Sequence, residues 1–214
     1  MPQDTTSITI RQEWQQAWNN SRFKKMSVTG LVFVVCILSF FPFFFQAIEQ
    51  RHGIVLNDPL LRWIPAHNVS VPLFIVIWAL TLFSVFRSAQ HPRMFINYLW
   101  AFIILSLLRI TTITLVPLDP PAGLIGLMDP LSNAFYGAHF ITKDLFFSGH
   151  TSAVFLLCLC LPGRTDKKLG LLATLCVAFL LLVQHVHYTL DVVCGFFFAW
   201  ISWWVATRVV LRGM

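Results

Sequence analysis

Apolar residues in this chain come in long runs separated by short polar segments, with neither the period-two alternation of strands nor a single helical stripe. A helix needs about 20 apolar residues to cross a hydrocarbon core about 30 Å thick. Six runs meet or approach that length: Met26 to Ile48, Asn68 to Phe86, Met94 to Leu118, Leu145 to Leu161, Leu169 to His187 and Leu190 to Val210. The pattern predicts an all-α, polytopic membrane protein, a six-transmembrane-helix bundle over residues 26–210. Residues 1–25 form a tail ahead of it and residues 211–214 a short end behind it. In the tail Ile10, Trp14 and Trp18 recur every four positions beside Arg11, Arg22, Lys24 and Lys25, the pattern of a helix lying in the interface. A partly ordered polar tail fits that stretch equally well, and a cleavable signal peptide does not.

Composition strengthens the membrane reading. The chain is 57% hydrophobic and 11% charged, where a soluble domain carries about 25% charged residues. A soluble enzyme, a disordered chain and a secreted disulfide scaffold are excluded on that balance. Cys36, Cys158, Cys160, Cys176 and Cys194 all fall inside apolar runs without a CxxC pair, and read as packing residues. The net charge of +6 does not point to nucleic acid, because the basic residues cluster between the runs. With both termini cytoplasmic, Arg11, Arg22, Lys24, Lys25, Arg87, Arg93, Arg164, Lys167, Lys168, Arg208 and Arg212 lie inside. Only Arg51, Arg62, Arg109 and Lys143 lie outside, as the positive-inside rule requires.

Ionisable residues within spans are costly and mark function by default. Arg109, His150, His187 and Asp191 stand out, and the topology brings all four to the extracytoplasmic end. Ser148-Gly149-His150-Thr151 lies at a helix start, where free N–H groups and the helix dipole favour an anion. His187 and Asp191 are four apart, so they meet on a helical face or across a tight turn. A carboxylate on one imidazole nitrogen leaves the other as a nucleophile. Arg109 offers a permanent fork for phosphate oxygens. The bland alternatives are an Arg109 that snorkels to the interface and an Asp191 that merely favours the helix dipole. His185 fits a supporting role, and His139 sits in the outer loop.

These residues resemble a known family. Asp144 to Thr151 is similar to the D-x-x-x-S-G-H-T motif of sphingomyelin synthases, and His185 to Val192 to their H-x-H-Y-T-x-D-V motif. Arg109 to Pro117 resembles the segment that opens their outer loop. The synthases belong to the type 2 phosphatidic acid phosphatase (PAP2) superfamily, and the resemblance, of the PAP2 C-terminal type, covers roughly residues 94–205. It implies His187 as nucleophile through a phosphohistidine, Asp191 as its orienting partner and His150 as acid and then base. It further implies a phosphate site drawn from Arg109, Ser148, Gly149, Thr151, Asp144 and Tyr188, with no metal and no cofactor. The implied reaction moves a phospho-headgroup from a glycerophospholipid to ceramide or another lipid alcohol.

There are departures. Phe102 and Ile110 stand where the wider superfamily has lysine and proline around the arginine, which argues against a monoesterase. The rivals are a lipid phosphatase or phospholipase C-type hydrolase at the same site, and a zinc hydrolase using His150, His185, His187 and Asp191. A non-enzymatic haem or transport bundle is a further one.

Overall fold

The computed structural model describes residues 9–127 and 141–213; His139 lies outside them, as does part of the predicted outer loop. Seven α-helices run through the described residues: α1 Ile10–Asn19, α2 Ser21–Glu49, α3 Ser70–Gln90, α4 Pro92–Leu115, α5 Gly149–Cys160, α6 Arg164–Val183 and α7 Thr189–Val205. A π-helical turn, Ala206–Val210, continues α7. Their starts follow local chemistry. Asn20 accepts the N–H groups of Arg22 and Phe23 to cap α2, and Pro92, whose missing N–H is no loss at a first turn, opens α4.

Among the described residues four helices are long and apolar enough to cross a membrane: α2, α3, α4, and α7 together with its π turn. The other two predicted spans differ from expectation. The fourth run begins its helix only at Gly149, and the helix has 12 residues, about 18 Å by helix rise. A helix starting at Leu145 would bond the Thr151 N–H to the Phe147 carbonyl. Here the Phe147 carbonyl accepts from Arg109 and the Thr151 N–H goes to Ser148 Oγ, so the side chains stop the helix. The fifth run lies in a 20-residue helix that begins ahead of it at Arg164, so the first turns of that helix carry Arg164, Asp166, Lys167 and Lys168. It also ends at Val183, so that His187 lies in a turn instead of closing a helix.

The short α5 sits innermost, packed against α3, α4, α6 and α7, while α2 leans on α4 from outside. Around them large apolar side chains face outward on nearly every long helix, among them Val32 and Phe43, Ile75 and Leu82, Leu172 and Phe179, Val193 and Phe197. The interior is apolar too, but among its large side chains it holds small polar groups: Ser27, Ser84, Ser106, Thr174 and Ser202 are buried. An apolar exterior with small residues inside suits lipid as solvent, where small residues let helices approach. Gly195 is one such point, since a Cβ there would press within 3.2 Å of the Ser148 carbonyl at the start of α5. All five cysteines are free. At the opposite end of the bundle α1 lies across the α3–α4 turn, with Trp14 Nε1 donating to the Ala89 carbonyl at 2.7 Å.

Candidate active site

The C-terminal end of α4 and the N-terminal ends of α5 and α7 meet at one end of the bundle. Arg109, two turns before the end of α4, is buried and points across to the 144–148 segment. Its Nη1 donates to the Phe147 carbonyl at 2.8 Å, and its Nη2 reaches both Asp144 oxygens at 2.5 and 2.7 Å. The guanidinium also lies over the Phe147 ring, 5.7 Å from its centroid. Snorkelling to the interface is not what this arginine does. Gly149 lies directly beneath it: a Cβ at that position would fall 2.5 Å from Nη1 and 2.6 Å from Cζ. The neighbour that calls for a glycine here is the guanidinium itself.

His150, the second residue of α5, packs edge-on against Phe74 and faces His187, with ring centroids 6.5 Å apart. His187 sits in the turn between α6 and α7 and is almost wholly buried. Its Nδ1 faces Asp191 Oδ2 at 3.5 Å, within ion-pairing distance but longer than a hydrogen bond. Asp191 is fully buried in the first turn of α7, and the same Oδ2 accepts the Tyr188 N–H at 3.1 Å. The two residues therefore meet across the tight turn. The Asp191 carbonyl accepts the Ser148 N–H at 3.0 Å, tying the start of α5 to the start of α7 and fixing one histidine relative to the other.

Arg109, Asp144, Gly149, His150 and His187 line a common cavity of about 350 Å³. Its other walls are mostly apolar, with Phe41 and Phe45 of α2, Phe74 and Ile77 of α3, Phe102 and Leu105 of α4 and Leu157 of α5, and with Thr81, Ser106 and Thr142 as hydroxyls among them. It reaches down α4 from Arg109 to Tyr98, about 16 Å by helix rise. Ser148 and Thr151 stand behind this wall, both fully buried. The Ser148 hydroxyl accepts from the Thr151 N–H as a helix cap, and Thr151 Oγ1 has no hydrogen-bond partner.

Tyr188 departs from expectation most clearly. Its hydroxyl donates to the Asp119 carbonyl and accepts the Leu56 N–H, so it braces the loops and is absent from the cavity wall. His185 is likewise committed, its two ring nitrogens lying 3.1 and 2.8 Å from the carbonyls of Ala122 and Ile64. It therefore does not join His150, His187 and Asp191 as the zinc reading required. Among the described residues no cluster of three or more His, Cys, Asp or Glu is arranged to hold a metal.

Three supports were not singled out from sequence. Glu49 at the end of α2 receives the N–H groups of Thr142 and Lys143 and the Thr142 hydroxyl. Asp58 receives the N–H and hydroxyl of Thr189 at the start of α7. Burial would raise the Asp58 carboxyl, but the hydrogen bonds from Thr189, Leu61 and Leu60 outweigh it and hold it below its ordinary value. Gln184, fully buried, bonds Ser70 and the carbonyls of Ile125 and Gly126 while accepting the Val69 N–H. Gln184 was visible as an amide inside an apolar run; Glu49 and Asp58 carried no local signal. Nearby, the Lys143 ammonium, at 3.0 Å, keeps the Asp119 carboxyl below the usual range.

No curated protein matches the chain. Residues 143–208, just under a third of it, match the family model described as PAP2 superfamily C-terminal. The matched stretch contains Asp144, Ser148, Gly149, His150, His187 and Asp191 and leaves Arg109 outside. The match supports the PAP2 superfamily, whose members are phosphoesterases and phosphotransferases, and with the apolar helices it supports a membrane enzyme acting on lipid phosphates.

Proposed function

We propose that the protein is a sphingomyelin synthase-like phosphotransferase, a six-span enzyme that moves a phospho-headgroup from a glycerophospholipid to ceramide or another lipid alcohol. The observation that carries this reading is the cavity in which Arg109, His150 and His187 share a rim above a deep apolar chamber. A headgroup phosphate fits the rim and acyl chains fit the chamber.

In the first step the lone pair on His187 Nε2 attacks phosphorus in line with the glycerol oxygen. Asp191 beside Nδ1 holds the ring in that tautomer and stabilises the charge that develops on it. The P–O bond to glycerol breaks, His150 gives its proton to the leaving oxygen, and diacylglycerol departs. The ring separation of 6.5 Å leaves room for a phosphoryl group between the two imidazoles. In the second step His150 takes the proton of the acceptor hydroxyl, whose oxygen attacks phosphorus as the P–N bond breaks. Splitting one transfer into two displacements lowers each barrier.

Arg109 supplies the clamp on the non-reacting oxygens. Because it is already forked onto Asp144, the pair brings no net positive charge to the cavity. That favours a singly charged phosphodiester over a doubly charged monoester, in keeping with Phe102 in the place of a second cation. Positive-inside counting puts the reaction on the extracytoplasmic side, with both termini cytoplasmic.

The test is lipid conversion by purified protein beside His187→Ala, given labelled ceramide and a panel of glycerophospholipid donors. A sphingophospholipid with matching diacylglycerol, absent in the variant, is the expected result. Diacylglycerol without a ceramide product would assign the site to hydrolysis, and no turnover by folded protein would reject the reading.

A further inference from the structure

At the end of the bundle opposite His187 lies a second cavity, of about 730 Å³, open to the surface and bordered by α1, the start of α2, the first turns of α4 and the end of α7. Its wall carries Arg93, Asn97 and Arg208, with Glu13 as the one carboxylate, and its floor is apolar, with Ile96 and Trp203. Both arginines are exposed, and among the described residues neither side chain has a hydrogen-bond or ion-pair partner. This is not the habit of all arginines at this end, since Arg87 is paired with Asp166 at 2.7 Å.

Arg208 is held there by an irregular backbone. The Leu211 N–H bonds the Ala206 carbonyl at 2.9 Å, an i→i−5 bond, so the end of α7 is wound as a π turn. Such turns are uncommon and gather at functional sites. On the other side, the Trp14 hydrogen bond to Ala89 keeps α1 across the α3–α4 turn and so closes the cavity's outer wall. Trp14 and Trp18 on α1 and Trp204 near the end of α7 belong to this end of the bundle, the kind of place where tryptophans gather as hydrocarbon meets headgroups.

We propose that this cavity binds a phosphate-bearing anion between Arg93 and Arg208. A guanidinium pairs with phosphate oxygens through two parallel N–H donors, and two unpartnered ones face a common space here. The apolar floor and the interfacial level select an anionic phospholipid of the adjoining leaflet over a soluble phosphate ester, with the headgroup on the arginines and chains against Ile96 and Trp203. Nothing in this assignment depends on the reaction at His187.

The test is native mass spectrometry of the full chain in detergent, titrated with phosphatidylglycerol, with phosphatidylcholine, and with inorganic phosphate. The variants are Arg93→Gln/Arg208→Gln and, as a control of equal charge change at the same end but off the cavity wall, Lys24→Gln/Lys25→Gln. Lipid held in the His187 cavity is common to all three proteins and cancels. The wild type is expected to retain phosphatidylglycerol over phosphatidylcholine. The arginine variant should lose that retention by about tenfold, equivalent to about 1.4 kcal/mol, and the lysine control should keep it. Equal retention in the arginine variant, or equal loss in the lysine control, overturns the proposal. Displacement of the lipid by millimolar phosphate rejects the lipid as occupant and leaves a soluble phosphate ester. Arg208→Lys guards against a folding artefact: it keeps the charge without the fork, and is expected to weaken retention while leaving the thermal midpoint in place.

Discussion

Gly149 and Arg109 are one unit at the scale of single residues, since a Cβ on the first would occupy the place of the second's guanidinium. Gly149→Ala therefore displaces Arg109 from Asp144 and the Phe147 carbonyl. With a clamp moved by about 1 Å, turnover should fall about 10²-fold while the fold survives; kcat and a thermal melt of the same preparation check this. In the proposed reaction His150 moves the proton in both steps, so His150→Gln should lower kcat by about 10²–10⁴-fold with little change in donor affinity. Asp191→Asn keeps the acceptor for the Tyr188 N–H but lacks the negative charge beside His187. It should fold and lose most of its turnover, which a lipid-conversion assay beside a melt would show.

Between helices, the site is held by contacts that are distant in sequence. Asp58 acts as a borrowed cap for α7 through Thr189, and Asp58→Asn, which replaces one of the two accepting oxygens by a donor, should cost about 1 kcal/mol of stability at neutral pH. The carboxyl is lower in the folded chain than its ordinary value. Its stabilisation is therefore complete above the ordinary carboxylate range and fades as pH falls through the lowered value. The gap in thermal midpoint between wild type and variant should close over that interval. These ties explain what could be read from sequence. The runs that became α2, α3 and α4 were legible because apolar length is a local property, and His150, His187 and Asp191 because an ionisable group in such a run is conspicuous. The start of α5 was legible in part: Ser148-Gly149-His150-Thr151 reads as a helix start, but the exclusion of residues 145–148 from the helix depends on Arg109 drawing off the Phe147 carbonyl from 38 residues away. Tyr188 was assigned to the phosphate by its motif, whereas its hydroxyl is spent on Asp119 and Leu56. Glu49 was passed over because its partners lie 93 and 94 residues further on.

Across the whole molecule, the two cavities sit at opposite ends of α4 and α7 with different demands. One is narrow, mostly apolar below and carries two histidines at its mouth; the other is wide, arginine-walled and covered by α1. Short α5 runs between the helices that frame both. Its 12 residues span about 18 Å of a core about 30 Å thick. If its Cys160 end reaches the far surface of the hydrocarbon, its first residue, and the histidines with it, lie about 12 Å below the near one. A donor headgroup must then sink to the catalytic pair, or the bilayer must dimple to bring the surface to it. Dimpling is easiest in thin membranes, at a cost of fractions of a kcal/mol per Å of mismatch. Reconstituted into vesicles of increasing acyl length, with donor and acceptor held constant, the enzyme should slow as the membrane thickens. Membrane thickness would thus act as a throttle on turnover, independent of how much substrate the membrane contains.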